Sequence, residues 1–337
     1  MKVLVTGGAG YIGSHTVVEL LEAGYEVVVY DNLSNSSTIS LDRIFEITGK
    51  CVEFVEGDVQ DAEKLNMVFD KHQFDGVIHF AGLKAVGESI EQPISYYNNN
   101  VHGSLQLLDA MVRHKVRVIV FSSSATVYGD PVELPLHEGM RTGIPTNPYG
   151  MSKLMVENIL ADLYHSDDSW RIARLRYFNP VGAHPSGLIG EDPKGVPSNL
   201  MPFITQVALG KREELYVFGG DYKTSDGGGV RDYIHIVDLA KGHLAALEKC
   251  VELEGVHTVN LGTGKGYTVF QMIETFERVN NVTVPYQIVD RRPGDVSECY
   301  ADTNFAEKFL GWKAKMSLDE MCRDSWNWGQ KNINGYE

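Results

Sequence analysis

Hydrophobic and polar positions follow two different periods along the first half of the chain. Short apolar runs rich in Val, Ile and Leu predict buried strands at 2–6, 26–30, 52–56, 75–80, 116–122 and 171–176. Between them, apolar residues recur every three to four positions and predict helices at 12–23, 61–71, 92–114 and 149–166. Regular strand–helix alternation builds an α/β fold with a doubly wound parallel sheet. The second half loses the alternation. Gly and Pro cluster at 182–187, 195–197, 219–220 and 227–229, and these read as long loops. Helical patterns return at 237–249, 269–280 and 317–330, with a strand pattern at 257–261. This predicts a nucleotide-binding domain over 1–179 and a smaller α/β lobe over 180–337. Segments at about 230–262 are expected to pack back on the first domain.

Open α/β sheets bind ligands at the carboxyl ends of their strands, so the residues after each strand matter most. The first strand runs into Gly7, Gly10 and Gly13, and a helix follows. A strand, a glycine turn and a helix N-terminus form a pyrophosphate cradle. The spacing is G-x-x-G-x-x-G, a variant of the usual G-x-G-x-x-G fingerprint. Packing glycines without a ligand are the alternative. Asp31 ends the second strand, eighteen residues past Gly13. A carboxylate there accepts ribose hydroxyls and repels a 2′-phosphate, which favours NAD over NADP. Later strand ends are also polar or glycine-rich. Asn32, Asn35 and Ser36 follow the second strand, and Asp58 and Val59 the third. Phe80, Ala81, Gly82 and Lys84 follow the fourth, Ser122 and Ser124 the fifth, and Tyr177, Phe178 and Asn179 the sixth. One such end means a turn; six in succession mean one long site.

Composition narrows the class. The chain has 337 residues, 43% hydrophobic and 22% charged, as in an ordinary globular protein. A net charge of −15 argues against nucleic acid or an anionic membrane as partner. No apolar run approaches the roughly 20 residues that span a bilayer, and the N-terminus reads as a strand rather than a signal peptide. Cys51, Cys250, Cys299 and Cys322 are scattered, with no zinc-like spacing and no disulfide framework. The expected compartment is a reducing cytoplasm, and no metal is expected.

Tyr149 and Lys153 stand four apart after Pro148, a good first helical residue. They share one helix face. A nearby ammonium stabilises phenolate, so Lys153 is expected to pull the Tyr149 pKa from about 10 towards neutrality. A surface Tyr–Lys pair at a common spacing is the alternative. Ser124, placed to share a substrate hydroxyl with Tyr149, tips the balance towards proton transfer.

The glycine turn, Ser124 and Tyr149-x-x-x-Lys153 together resemble the extended short-chain dehydrogenase/reductases, a family with the Rossmann fold. Within it the chain is similar to the branch that epimerises UDP-hexoses at C4. HFAGLKAVGE at 79–88, SSSATVYG at 122–129, YFNPVGAHPSG at 177–187, NLMP at 199–202, GVRDYIH at 229–235 and RRPGD at 291–295 carry that similarity, in order, along nearly the whole length. The resemblance implies oxidation of the sugar at C4 by a tightly held NAD, a transient 4-keto sugar that turns over in the site, and reduction of its opposite face. It implies that Tyr149 moves the 4-hydroxyl proton, Ser124 relays or fixes that bond, and Lys153 holds the nicotinamide ribose. For the cofactor it implies Tyr11, Ile12, Asp31, Asn32, Asn35, Ser36, Asp58, Val59, Phe80, Ala81, Lys84, Asn99 and Phe178. For the UDP-sugar it implies Asn179, Asn199, Leu200, Tyr216, Val217, Phe218, Arg231, Arg292 and Asp295, with Lys84, Ser124 and Tyr149. The two arginines are assigned to the diphosphate, as guanidinium forks match phosphate oxygens. The expected setting is galactose metabolism.

Four residues after Asp295 the family carries a gate beside the sugar 2-substituent. Here that residue is Cys299, with Tyr300 next. A small gate implies that 2-acetamido sugars, UDP-GlcNAc and UDP-GalNAc, are accepted too. A small buried hydrophobe without a role in selectivity is the alternative reading of Cys299. Other readings of the whole chain are a nucleotide-sugar 4,6-dehydratase, a net-redox reductase, and a catalytically inactive NAD-binding regulator. Dehydratases of this fold resemble Thr-Asp-Glu where this chain has Ser124-Ala125-Thr126. The family also implies a homodimer, through helices near 92–114 and after Tyr149. Leu105, Leu107, Leu108, Met111, Leu154, Met155 and Ile159 permit that pairing, or face the sheet instead.

Overall fold

Every apolar run in the first half becomes a strand. These are β1 (Lys2–Thr6), β2 (Glu26–Asp31), β3 (Glu53–Glu56), β4 (Gly76–His79), β5 (Val118–Ser124) and β6 (Arg171–Tyr177). The computed structural model describes the whole chain except Ile144, Val196, Pro293 and Gly294. Parts of the 195–197 loop and of the RRPGD stretch thus lie outside the described residues. Three strands that the apolar pattern does not announce come next: β7 (Asn179–Val181), β8 (Leu215–Phe218) and β9 (Val230–His235). The predicted strand near 257–261 is β10 (Gly255–Leu261). It lies parallel to β6 and completes a seven-stranded sheet of order β10-β6-β5-β4-β1-β2-β3. The order reverses between β1 and β4. That is the crevice where doubly wound sheets place their ligands.

Helices α1 (Tyr11–Glu22), α2 (Ile39–Thr48) and α3 (Ala62–Lys71) follow the first three strands. The expected helix over 92–114 is broken. It begins earlier as α4 (Val86–Glu91) and stops at Gln92, which precedes Pro93 and takes φ −128° and ψ 54°. A residue before proline is pushed out of the helical region. The chain resumes as α5 (Pro93–Tyr96), passes through a π-helical turn at Tyr97–His102 and continues as α6 (Gly103–Arg113). Helix α7 (Pro148–Ser166) then leads into β6. The second half carries α8 (Leu200–Ala208), α9 (Ile236–Glu252), α10 (Val269–Asn280), α11 (Asn304–Leu310) and α12 (Leu318–Lys331).

The sheet is buried on both faces, as parallel sheets are. Val3, Val5, Val17, Leu20, Leu239 and Val259 pack under α1 and α9. Leu4, Leu107, Met111, Ile119, Val156 and Leu160 pack under α3, α6 and α7. A separate core of Val181, Ile204, Val217, Phe276 and Met321 fills the second half. There β11 (Gly266–Thr268), β12 (Tyr286–Val289) and β13 (Glu298–Cys299) complete two small sheets. β9 pairs with β7, β11 and β13, and β12 pairs with β8. β8 is not legible as an apolar run because alternate residues face solvent.

Candidate active site

The turn after β1 leaves no room for side chains. Gly7 adopts φ +70°, which favours glycine, and a Cβ there would lie 2.7 Å from the Ala81 nitrogen on the far side of the crevice. A Cβ on Gly13 would lie 2.2 Å from the Gly7 carbonyl oxygen. Gly10 caps α1 without a side chain, and the first turn of α1 holds no acidic residue. Its first N–H groups are thus left for an anion. Asp31 is buried and accepts from Ala9 N at 3.0 Å, Leu33 N at 2.9 Å and Ser36 Oγ at 2.8 Å. Asn32 donates to Asp58 at 2.9 Å. Val59 is buried beside α6. A buried carboxylate and an uncapped helix start fit an NAD: the one has acceptor oxygens that suit ribose hydroxyls, the other free N–H groups that suit a pyrophosphate.

Across the crevice, Phe80 N donates to Thr6 O at 3.0 Å. A Cβ on Gly82 would stand 3.6 Å from Lys153 Nζ, so this backbone and the α7 lysine share one space. Asn99 sits half-buried in the π-helical turn. Its neighbour Asn100, which sequence reasoning missed, accepts from Leu83 N and donates to Ser152 Oγ at 2.9 Å, binding the β4 loop to α7.

Asn147 caps α7 by accepting from Gly150 N at 2.9 Å, and Pro148 occupies the first turn. Tyr149 and Lys153 then project towards the end of β5. Ser124 Oγ accepts from Thr126 N at 3.2 Å and Thr126 Oγ1 at 3.0 Å. Burial pushes the Tyr149 phenol above its ordinary pKa, and the Ser124 hydroxyl beside it acts in the opposite direction. The expectation that Lys153 pulls this phenol towards neutrality is not met. Lys153 Nζ donates to the Ser122 carbonyl at 2.7 Å and stands 5.0 Å from the Phe121 ring centre. Burial lowers Lys153 itself to about 8. Behind Ser124, Ser123 donates to Glu157, which pairs with Arg176 at 2.6 Å inside the core.

The second half supplies the facing wall. Asn179 is exposed on β7, next to Phe178 on the floor. Asn199, at the start of α8 beside half-buried Leu200, donates to Glu191 at 2.6 Å. Lys84 also binds Glu191, at 2.8 Å. Glu191 carries no motif, and sequence reasoning missed it. Lys194 reaches back over the first domain and donates to the carbonyls of Leu33 at 2.9 Å and Ser34 at 3.1 Å. Its N–H donates to Asn35 at 3.5 Å. Tyr216 and Phe218 face outward from β8, whereas Val217 is buried in the core and offers the site only its backbone. The Arg292 guanidinium lies 3.8 Å from the Phe218 ring centre. Arg231 pairs with Asp295 at 3.5 Å. Cys299 pairs with Arg231 in the sheet and packs in a cluster with Ala125, Tyr128 and Phe178. The Tyr300 ring lies against Gly266 instead.

Lys153 gives a test of this geometry. Between its folded pKa of about 8 and its ordinary value of 10.5, the unfolded chain holds a proton that the folded chain has released. Stability from this group therefore rises with pH across that window. The wild type should gain about 3 kcal/mol on Lys153→Met between pH 7 and 10.5, read from urea midpoints. A constant difference between the two proteins would show that the ammonium is not penalised by burial.

Comparison with known proteins agrees with this architecture. A family model described as GDP-mannose 4,6 dehydratase matches residues 4–325. The UDP-glucose 4-epimerase of Bacillus subtilis is 58% identical over 337 residues, covering 100% of this chain and 99% of that one. The crystal structure of UDP-glucose 4-epimerase from Bifidobacterium longum with NAD+ and UDP is 55% identical, with a TM-score of 0.97 and coverage of 99% and 100%. The UDP-Glc/GlcNAc 4-epimerase of Campylobacter jejuni is 34% identical, with a TM-score of 0.85 and coverage of 98% and 99%. Identity above one half along the full length goes well beyond a shared fold, and the chain belongs to the UDP-glucose 4-epimerases of the extended short-chain dehydrogenase/reductase family.

Proposed function

We propose that this chain interconverts UDP-glucose and UDP-galactose by epimerisation at C4, with NAD held throughout. The observation that carries the reading is the convergence of Tyr149, Ser124 and Lys153 at the end of β5, between the glycine cradle and the wall that holds Arg231 and Arg292. NAD held along the strand ends supplies a reversible hydride acceptor for C4. Tyr149 is placed to take the proton of the 4-hydroxyl and return it to the epimer, a step that requires ligand binding to offset the burial that holds its phenol above the ordinary pKa. Ser124 holds the same oxygen and favours the phenolate. Arg231 and Arg292 anchor the diphosphate while the hexose stays loosely held and turns over. Asp31 selects NAD by its charge. The dehydratase reaction needs a further acid–base pair. The turn after Ser124 is Ala125-Thr126-Val127-Tyr128 and supplies no carboxyl group. The division at 179/180 follows this use, with α9 and β10 packed on the cofactor domain. Four free cysteines support a reducing, cytoplasmic setting.

The finer substrate range rests on Cys299. Its packing on the cluster that holds Tyr128 and Phe178, with Tyr300 turned to Gly266, supports Cys299 as the gate residue. We extend the activity to UDP-GlcNAc and UDP-GalNAc on that basis. The homodimer reading is sharpened by burial. Leu107, Leu108 and Met111 are in the core, Ile159 packs on it and Leu154 is half-buried. Leu105 and Met155 remain exposed on α6 and α7, near exposed Ile90 and Ile94 on α4 and α5. This apolar face supports pairing with a second copy.

Purified protein without added NAD should convert UDP-galactose to UDP-glucose, followed by NMR. Tyr149→Phe should lower kcat by about 10²–10⁴-fold; full activity in that variant would remove Tyr149 from the chemistry. Cys299→Tyr should reduce turnover of UDP-GlcNAc by roughly 100-fold while UDP-galactose turnover stays within about twofold. Equal losses on both substrates, or no N-acetyl turnover in the wild type, would reject the gate. In sedimentation equilibrium the wild type should run as a dimer and Ile94→Asp as mainly monomer. A monomeric wild type would discard the interface.

A further inference from the structure

Glu191 stands between the two halves of the chain, and the chemistry above gives it no task. Its oxygen Oε1 accepts from Lys84 Nζ at 2.8 Å and from Asn199 Nδ2 at 2.6 Å. Lys84 follows β4 in the first domain, and Asn199 opens α8 in the second half. Neither nitrogen has another partner among the described residues. Exposed ion pairs contribute little, but the Glu191 side chain is only 9% exposed. A carboxylate taken out of water must be met by donors, and here one oxygen collects both. The backbone behind it is fixed. Trp328 Nε1 donates to the Glu191 carbonyl at 3.3 Å, and Tyr336 N donates to the Asp192 carboxylate at 2.9 Å. A Cβ on Gly190 would lie 2.4 Å from the Trp328 indole, so the chain there lies flat against α12. Glu191 is the post, and Lys84 and Asn199 are the ends it holds.

Asn199 shows what that hold costs. It occupies the N-cap of α8, where asparagine ordinarily accepts from its own helix, yet it makes no side-chain cap bond. Its amide is turned to Glu191 instead. We propose that Glu191 is a positioning residue: resting on the functional reading above, it clasps Lys84 and Asn199 from the two halves and holds the walls of the crevice at the spacing that the UDP-sugar needs. Without the clasp, the Asn199 amide falls back on α8 as an ordinary cap and Lys84 swings free. A role through charge alone predicts the opposite. Removing the carboxylate leaves Lys84 unneutralised, and an added positive charge tightens a site for an anionic diphosphate. The two roles differ in sign.

Two substitutions separate reach from charge, read as KM and kcat of the holoenzyme for UDP-galactose. Glu191→Asp keeps the charge on a side chain one methylene shorter, which cannot reach both donors from a fixed backbone. It should raise KM about tenfold and leave kcat within about threefold, the mark of lost binding rather than lost chemistry. Glu191→Gln keeps the reach and a carbonyl acceptor without the charge, and its KM should stay within about threefold of the wild type. In a background carrying both Lys84→Ala and Asn199→Ala, Glu191→Asp should no longer raise KM, because the donors it served are gone. A wild-type KM in Glu191→Asp, a KM changed further than about threefold in Glu191→Gln, a kcat lowered about tenfold in either, or an undiminished rise in the background lacking both donors would each overturn the proposal. If Glu191→Asp does not fold, Glu191→Gln decides: a KM within about threefold supports the clasp, and a larger change in either direction rejects it. A wild type that does not epimerise UDP-galactose overturns both this inference and the functional reading; an active wild type whose variants lack this pattern overturns the inference alone.

Discussion

The α carbon of Gly13 rests against the carbonyl of Gly7, so close that even a methyl group would overlap it. This contact sets how α1 leaves β1. It brings the helix start against the strand end and aims unpaired N–H groups over the crevice between β1 and β4. The order of the sheet reverses at that crevice, so the chain must pass it twice. The loops that pass, with Ala81 and Gly82 on one side and the glycine turn on the other, become the walls of the site.

Around that crevice the protein buries groups that water would otherwise solvate. Glu157 and Arg176 form a paired, hydrogen-bonded ion pair beneath Ser123. Such a pair adds little stability over a hydrophobic replacement, but breaking it is expensive, and this holds the β5 end in one geometry. Lys153 is different. Its ammonium has a carbonyl and a ring face but no carboxylate among the described residues. It is a buried charge held at a cost, and such charges cluster where chemistry is done.

Local rules read much of this from the sequence. The glycine turn, Asp31 and the Tyr149–Lys153 face depend on residues close together in the chain or on the ends of predictable strands. The parts that escaped depend on distant partners. Lys84 and Glu191 are 107 residues apart. The direction of Lys153 was misjudged for the same reason: spacing placed it beside Tyr149, while the Ser122 carbonyl, on another element, took its hydrogen bond. The break at Gln92 was legible in Pro93 and was overridden by a long apolar pattern.

The reach of Lys194 across to Leu33, Ser34 and Asn35 separates two quantities that are easily confused. A strap that must open before a ligand enters must also open before it leaves. It slows both passages alike and leaves the equilibrium between them untouched. Three hydrogen bonds at about 1 kcal/mol each slow each passage by roughly two orders of magnitude. Long occupancy can then arise in a site of ordinary depth, and holding time reflects the loop as well as the contacts beneath it.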